Sequence, residues 1–170
     1  MFGAPDRFNT ERIAAARLTR RDEEVILSMH NDPVVMASIG GVQDRAMTEN
    51  YMRLNLEHWQ RRGFGIYLLH GRLDGALLGR AGIRTTKVQG AEEVELSYVL
   101  MPGAWGRGLA TEAARALVAL ARDVLSLPGL VAFIAAANAP SQRVAGKCGF
   151  IRQGVVERST GPHELHRLVF

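Results

Sequence analysis

Cysteine is almost missing from this chain: Cys148 is the only one in 170 residues. No intramolecular disulfide is possible, and a lone thiol fits a reducing compartment. No run approaches about 18 consecutive apolar residues, so no membrane span is expected. The opening residues, MFGAPDRFNTER, carry charges where a secretory signal needs an apolar core, and a cytoplasmic protein is expected. The five histidines are scattered without metal-ligand spacing. His163 and His166 are near each other, but both fall in one closing strand, so no metal is expected. Neither charge sign dominates: 21 basic and 17 acidic residues leave +4, dispersed along the chain. That balance suits an anionic cofactor and argues against nucleic acid as a partner. Repeats and low-complexity tracts are absent too.

What is present is ordinary globular material, 47% hydrophobic and 22% charged. The length is that of one domain able to bury its own core, 1–170, with 1–9 as a loose lead-in. The most informative stretch runs from Glu93 to Asp123. Val94, Leu96, Tyr98 and Leu100 alternate with Glu95, Ser97 and Val99, which is the period of a half-buried strand. Pro102 and Gly103 stop it. From Leu109 the apolar residues Ala113, Leu117, Leu120, Ala121 and Val124 fall at helical spacing. Between strand and helix lies Trp105-Gly106-Arg107-Gly108-Leu109-Ala110. Glycines there let backbone amides approach a ligand, and the first amides of the helix lack intrahelical acceptors. With the helix dipole and the Arg107 cation, this is either a pyrophosphate cradle or a tight turn that needs glycine for geometry alone. GxxxxGK[ST] is absent, which excludes a P-loop, and without GxGxxG a dinucleotide fold is poorly supported.

Elsewhere, Arg12–Arg20 reads as a first strand. Asp22 is placed to cap a helix over Glu23–His30, and Val34–Ile39 extends as a short second helix. Thr48–Arg62 is a helix with apolar Tyr51, Met52, Leu54, Leu56 and Trp59, ended by Gly63. Ile66–His70 and Ala76–Arg84 form a hairpin about Gly71–Gly75, and Thr85–Ala91 reads as a polar loop. Leu130–Ala136 is a continuous apolar run, as in a strand buried on both faces. Asn138 caps a helix ended by Gly149, and Ile151–Glu157 and His163–Phe170 close the chain around a turn at Ser159–Pro162.

Two of these stretches carry a family likeness. Trp105–Ala110 resembles motif A of the GNAT acetyltransferases, Q/R-x-x-G-x-G/A, with Trp105 in the Gln or Arg place. AWGRGLATEA is similar to the YWGKGYATEA of the RimJ/RimL-like branch. NAPSQRVAGKCGF resembles motif B, NxxSxxVxxKxGF, through Asn138, Ser141, Val144, Lys147, Gly149 and Phe150. Gly146 departs from a helix-forming residue, at roughly 1 kcal/mol against alanine, and is expected to mark close backbone packing. Gly79-Arg80-Ala81-Gly82 and Trp59 with Gly63-Phe64-Gly65 also have counterparts there, so the likeness runs from about Thr10 onward.

The resemblance implies an α/β (α+β) GNAT fold: a mixed, mostly antiparallel sheet of six or seven strands flanked by helices. It implies an acetyl-coenzyme A-dependent N-acetyltransferase acting by direct attack of an amine, best matched to a protein N-terminal α-amine. The alternatives are a small amine (amino acid, polyamine or aminoglycoside), or a sensor that binds acyl-coenzyme A without turnover. A homodimer stays open. Backbone amides of Gly106, Arg107, Gly108, Leu109 and Ala110, flanked by Trp105 and Thr111, would hold the pyrophosphate. Tyr98, Val99 and Leu100 would pair with pantetheine where the central strand splays from its neighbour, and the amide of Leu100 or a neighbour would meet the oxyanion. Asn138, Ser141 and Lys147 complete the cofactor set. Ser141 is the candidate proton donor to the leaving sulfur, against a bond back to the backbone. Glu95 is the candidate base, against a solvent-facing strand residue. Cys148 sits at a helix C-terminus, where nothing activates a thiol, and reads as core filler.

Overall fold

The computed structural model describes residues 3–170; Met1 and Phe2, the start of the expected lead-in, lie outside the described residues. The strands are β1 (Arg7–Asn9), β2 (Ile13–Arg17), β3 (Ile66–Gly71), β4 (Leu77–Val88), β5 (Ala91–Leu100), β6 (Gly129–Ala135), β7 (Ile151–Arg158) and β8 (Gly161–Val169). The helices are α1 (Glu23–Asn31), α2 (Pro33–Met36), α3 (Arg45–Arg62), α4 (Leu109–Ala119) and α5 (Ala139–Lys147). All eight strands join one sheet in the order β1-β2-β3-β4-β5-β6-β8-β7, antiparallel throughout except where β5 meets β6.

The architecture is the expected mixed, mostly antiparallel sheet flanked by helices, with eight strands in place of six or seven. The additional strand comes from the lead-in, where Arg7–Asn9 pairs with Ala14–Ala16 and covers an otherwise open edge. The first expected strand is correspondingly shorter, Ile13–Arg17. Thr85–Ala91 is not a loop. The β-branched Thr85, Thr86 and Val88 extend β4 to the hairpin tip, pairing with Val94, Glu93 and Ala91. Only Gln89 and Gly90 turn, both at positive φ, as a tight right-twisted hairpin requires.

The helix boundaries follow their caps. Asp44 accepts from the Met47 amide and starts α3 three residues earlier than Thr48, and Gly63 ends it in the left-handed conformation. Asp32 caps the amides of Val34 and Val35, and the second helix stops at Met36. Asp22 stands at the N-terminus of α1 but does not cap it: its carboxylate accepts instead from the Thr19 amide and hydroxyl.

Two cores line the sheet. On one face α4 and α5 pack Leu109, Ala113, Leu117 and Ala145, with Phe150 just beyond α5, against Ile83, Leu96, Leu100, Leu130 and Ile134. On the other, α1–α3 cover Leu18, Ile66, Leu68 and Val99 with Ile26, Met29, Met36 and Met52. The second face is left without a helix over β6 and β8, where Phe133 and Val156 pack beside Val88, Val131 and Leu165.

Gly146 corrects an expectation. A side chain there would meet nothing within 4 Å, so no close backbone approach requires glycine. Replacing Gly146 with Ala therefore removes a helix penalty of about 0.5–1 kcal/mol. For a chain of this size the thermal midpoint should rise by roughly 1–4 °C. An unchanged or lower midpoint in a melting curve contradicts this.

Candidate active site

The sheet is opened along one seam. β5 and β6 run parallel, yet a single pair, Glu95 with Val131, joins them. Beyond it the strands part. Hydrogen-bond alternation decides which backbone groups the parting leaves free. Met101 donates to Leu78, so Val99, Ser97 and Glu95 spend their amides and carbonyls on β4. The even residues point the other way. Leu96 is used at the one rung, and the amides of Tyr98 and Leu100 face the gap. Phe170 donates to Pro128 at the far side of β6, and the same alternation turns Phe133 and Ala135 toward the gap. The cleft thus has two walls of unsatisfied backbone, a ladder able to pair with an extended amide-bearing chain.

Motif A closes one end of this cleft. Gly106 and Gly108 hold φ of +68° and +76°, which strain any other residue. Gly108 occupies the cap position of α4 and brings no side chain to it. The amides of Gly106, Arg107, Gly108, Leu109, Ala110 and Thr111 donate to no backbone carbonyl within the described residues. They form a nest of donors at the positive end of α4, fit for the oxygens of a pyrophosphate. Trp105 spends its indole N–H on the carbonyl of Leu100, 2.8 Å away, and so ties the loop to the end of β5. Arg107 reaches back to the carbonyl of Gly103 at 3.3 Å.

The loop is also held from outside, by residues that the motifs did not single out. Glu112, in the first turn of α4, accepts from Thr10 Oγ1 at 2.5 Å and from the Arg12 amide and Nε at 2.8 and 2.7 Å. Arg12 in turn donates to the carbonyl of Arg107, 2.8 Å away. A cavity of about 490 Å³ lined by Thr10, Arg12, Gly108, Thr111, Glu112 and Arg115 opens beside this clamp. A glutamate one turn into a helix, with threonine and arginine starting a strand, is the only sequence signal for it, and those residues lie about 100 positions apart.

The two catalytic candidates do not meet. Glu95 stands on the face of α1–α3, beyond the cover of those helices, and Ser141 lies on the opposite face at the start of α5. Between them runs the cleft. Glu95 is not solvent-facing: its side chain is 14% exposed, and Arg158 Nη2 lies 3.9 Å from its carboxylate. Burial pushes its carboxyl above the ordinary range, against the pull of Arg158, Arg84 and His163. Ser141 is half-buried, its Oγ takes part in no hydrogen bond within the described residues, and its amide donates to the capping Asn138 Oδ1 at 3.2 Å. Tyr98 donates from its hydroxyl to the Ser141 carbonyl at 3.4 Å. Burial foremost raises that phenol to about 12, so it keeps its proton at neutral pH. Lys147 is exposed at the last turn of α5, its carbonyl accepting from Arg115. Cys148 packs half-buried against the α4–α5 core, and burial pushes its thiol up, away from the reactive thiolate.

A second polar cluster lies on β4, across β5 from the cleft. Arg80 and Arg84 flank Gly82 on β4, opposite Val99 and Glu95. Arg80 is 8% exposed and stacks over the Tyr51 ring at 4.7 Å. Its Nη2 lies 3.4 Å from His30 Nε2. A guanidinium has only donors, so Nε2 accepts, and the proton on Nδ1 goes to Thr48 Oγ1, 3.0 Å away. Burial, and then Arg80, lower His30 to about 4, which keeps it neutral.

A splayed parallel strand pair with a glycine-rich, helix-capped nest at its end defines an acyl-coenzyme A-dependent transferase site. The model of the acetyltransferase (GNAT) domain matches residues 12–151, and the chain belongs to that family, whose acyl donor is acetyl-coenzyme A. An acetyltransferase from Agrobacterium tumefaciens superposes with a TM-score of 0.85 at 26% identity, over 100% of this chain and 98% of that one. The uncharacterized protein YkkB of Bacillus subtilis is 28% identical over 149 residues, 87% of each chain. The aminoglycoside acetyltransferase AAC(6')-Ib, in complex with coenzyme A, shares the fold at 20% identity and a TM-score of 0.76, over 92% of this chain and 94% of its own.

The clamp should govern both cofactor affinity and acid stability. Burial raises the Glu112 carboxyl, but the bonds from Thr10 and Arg12 outweigh it and hold the group below its ordinary value. Its contribution is therefore complete above the ordinary carboxylate range and is lost as pH falls from there through the group's own lowered value. Glu112→Gln should raise the KM for acetyl-coenzyme A severalfold. It should also flatten the loss of thermal stability that the parent chain shows below about pH 5. Parallel melting profiles for the two proteins contradict the assignment.

Proposed function

We propose that this chain, as one catalytic domain, transfers the acetyl group of acetyl-coenzyme A to a primary amine by direct attack, and that the acceptor is a protein N-terminal α-amine as in the RimJ/RimL-like branch. The observation that carries the reading is the seam itself: free amides of Tyr98 and Leu100 in a cleft with Glu95 on one side and Ser141 with Tyr98 on the other. The likeness of AWGRGLATEA to the RimJ/RimL-like stretch supports the branch, and the motif B match, with its asparagine, serine and lysine in register, supports the acetyltransferase reading.

In this reading the amides of Gly106–Thr111 hold the pyrophosphate, and the pantetheine arm pairs along Tyr98 and Leu100. Val99 does not pair with the arm, since its amide belongs to β4 and its side chain packs under α1–α3. Glu95 takes the proton from the incoming ammonium, directly or through water. The neutral amine forms a C–N bond to the thioester carbonyl. The amide of Leu100 or Tyr98 meets the developing oxyanion. The tetrahedral centre collapses, the C–S bond breaks, and the thiolate receives a proton from Ser141 Oγ, which is restored through water by the second proton that the amine nitrogen sheds. Asn138 shapes the start of α5, and Lys147 lies beside Arg115 for the distal cofactor phosphates.

The magnitudes favour an α-amine. Its pKa of about 7.7–8.0 leaves on the order of a tenth neutral at pH 7, whereas a lysine amine near 10.4 leaves a few parts in ten thousand. A carboxylate suffices as a base for the first and is a weak base for the second.

Thiol release against a panel of peptides and small amines tests the reaction. Stimulation by one acceptor class is expected. Tight acetyl-coenzyme A binding with no stimulation by any amine would point to a sensor instead. Glu95→Gln should lower kcat about 10²–10³-fold with unchanged acetyl-coenzyme A affinity. A raised carboxyl must lose its proton before it can act, so the parent's acid limb of kcat/KM should lie above that of an ordinary carboxylate and in Glu95→Gln give way to a limb at the amine's own pKa of about 7.7–8.0. Ser141→Ala and Tyr98→Phe separate the two candidate donors. A loss of kcat confined to Ser141→Ala supports the assignment, and a loss confined to Tyr98→Phe moves the role to the phenol.

A further inference from the structure

Arg80 is a buried cation without an anion. Among the described residues no carboxylate lies within salt-bridge distance of it, nor of Arg84 four residues along β4. Its Nε has no hydrogen-bond partner, and neither has the buried Tyr51 hydroxyl beside it. What it does have is the face of Tyr51 and one long contact to a neutral histidine. Arginine keeps its charge in any protein environment, so the desolvation is not relieved by losing a proton. A ring face and a distant imidazole offset only part of that cost. Arg84 adds a second cation over the Tyr51 ring at 5.9 Å, bonded to Asn55 Oδ1 at 3.3 Å. Arg80 keeps 8% of its surface exposed beside Tyr51.

The place of this cluster matters as much as its charge. Arg80 pairs with Val99 across β4–β5, between the two residues whose amides face the cleft. Antiparallel partners stand about 5 Å apart at the backbone, so β5 alone separates the Arg80 backbone from the gap that would take the acetyl group, about two strand-spacings away. It also shares the face of Glu95, from which the amine comes.

We propose that Arg80, with Tyr51 and His30, forms a carboxylate-recognition subsite for the acceptor, so that the amine acetylated by this chain carries a carboxylate a few bonds away. The inference rests on the reading of the cleft as an amine-acetylation site. An amino acid supplies that carboxylate from its own backbone, and a peptide supplies it from an acidic side chain next to its N-terminus. The same unpaired guanidiniums repel a polycationic acceptor.

The test compares matched acids and amides. Thiol release is followed with free amino acids against their carboxamides. C-terminally amidated peptides with Asp or Glu at the second position are set against those with Asn or Gln. The parent protein should favour the acid by about tenfold or more in kcat/KM, and whichever arm shows the preference names the source of the carboxylate. Arg80→Gln should bring the ratio to within about twofold with the acetyl-coenzyme A KM unchanged, and Arg80→Lys should restore part of it. Equal use of acids and amides by the parent overturns the subsite while leaving the transferase intact. So does a preference that survives Arg80→Gln. A second readout needs neither turnover nor a folded variant: calorimetric binding of N-acetylglycine against N-acetylglycinamide to the coenzyme A complex of the parent chain. Tighter binding of the acid supports the subsite even if no amine is acetylated, and equal or absent binding of both overturns it.

Discussion

Everything functional in this molecule depends on a sheet that stops pairing with itself. Backbone amides and carbonyls buried without partners are costly, at about 1–3 kcal/mol each, so a sheet opened in its middle is a feature that must be held in place. Here the opening begins immediately after one rung, Glu95 with Val131. The halves are kept at their angle by α4 and α5, which pack across the seam against Leu96 and Leu100 on one side and Leu130 and Ile134 on the other. The core of that face does two jobs with the same side chains. It buries apolar area, and it keeps the gap from closing.

The placement of chemistry follows from this. In a closed sheet Glu95 and Ser141 would be unrelated, because they occupy opposite faces. In an open one they flank the same gap, and a bond-making event inside it can be served from both sides. The protonated Tyr98 phenol comes from the burial that holds the seam, and the raised Glu95 carboxyl from burial on the opposite face beside Arg158.

Much of this was legible from the residues. Alternation at Val94–Leu100, the glycines at Gly106 and Gly108, and the helical spacing from Leu109 define the strand, the loop and the helix that carry the nest. The boundaries that were misread had local causes with no periodic signature. Arg7–Asn9 is a strand only because an edge needs covering. Thr85–Val88 looks polar because one face of the hairpin is wet. What could not be read was anything that required two distant segments to meet. The Thr10–Arg12–Glu112 clamp and the Arg80–Tyr51–His30 cluster each join residues from separate elements, and no spacing along the chain marks them. The free amides of Tyr98 and Leu100, and the committed one of Val99, needed the strand register itself. Gly146 was misassigned because a glycine in a helix can be tight or idle, and only the surrounding space tells which.

The Arg12 clamp also has a bearing on the order of assembly. Thr10 and Arg12 leave the ribosome about 100 residues before Glu112 does. At about 5–20 residues per second, the first strands wait roughly 5–20 s for the carboxylate that will engage them. During that interval β1 and β2 have neither α4 nor the cofactor loop to lean on. The glycine nest at the start of α4 is thus fastened by some of the first residues made, across about 100 positions of chain.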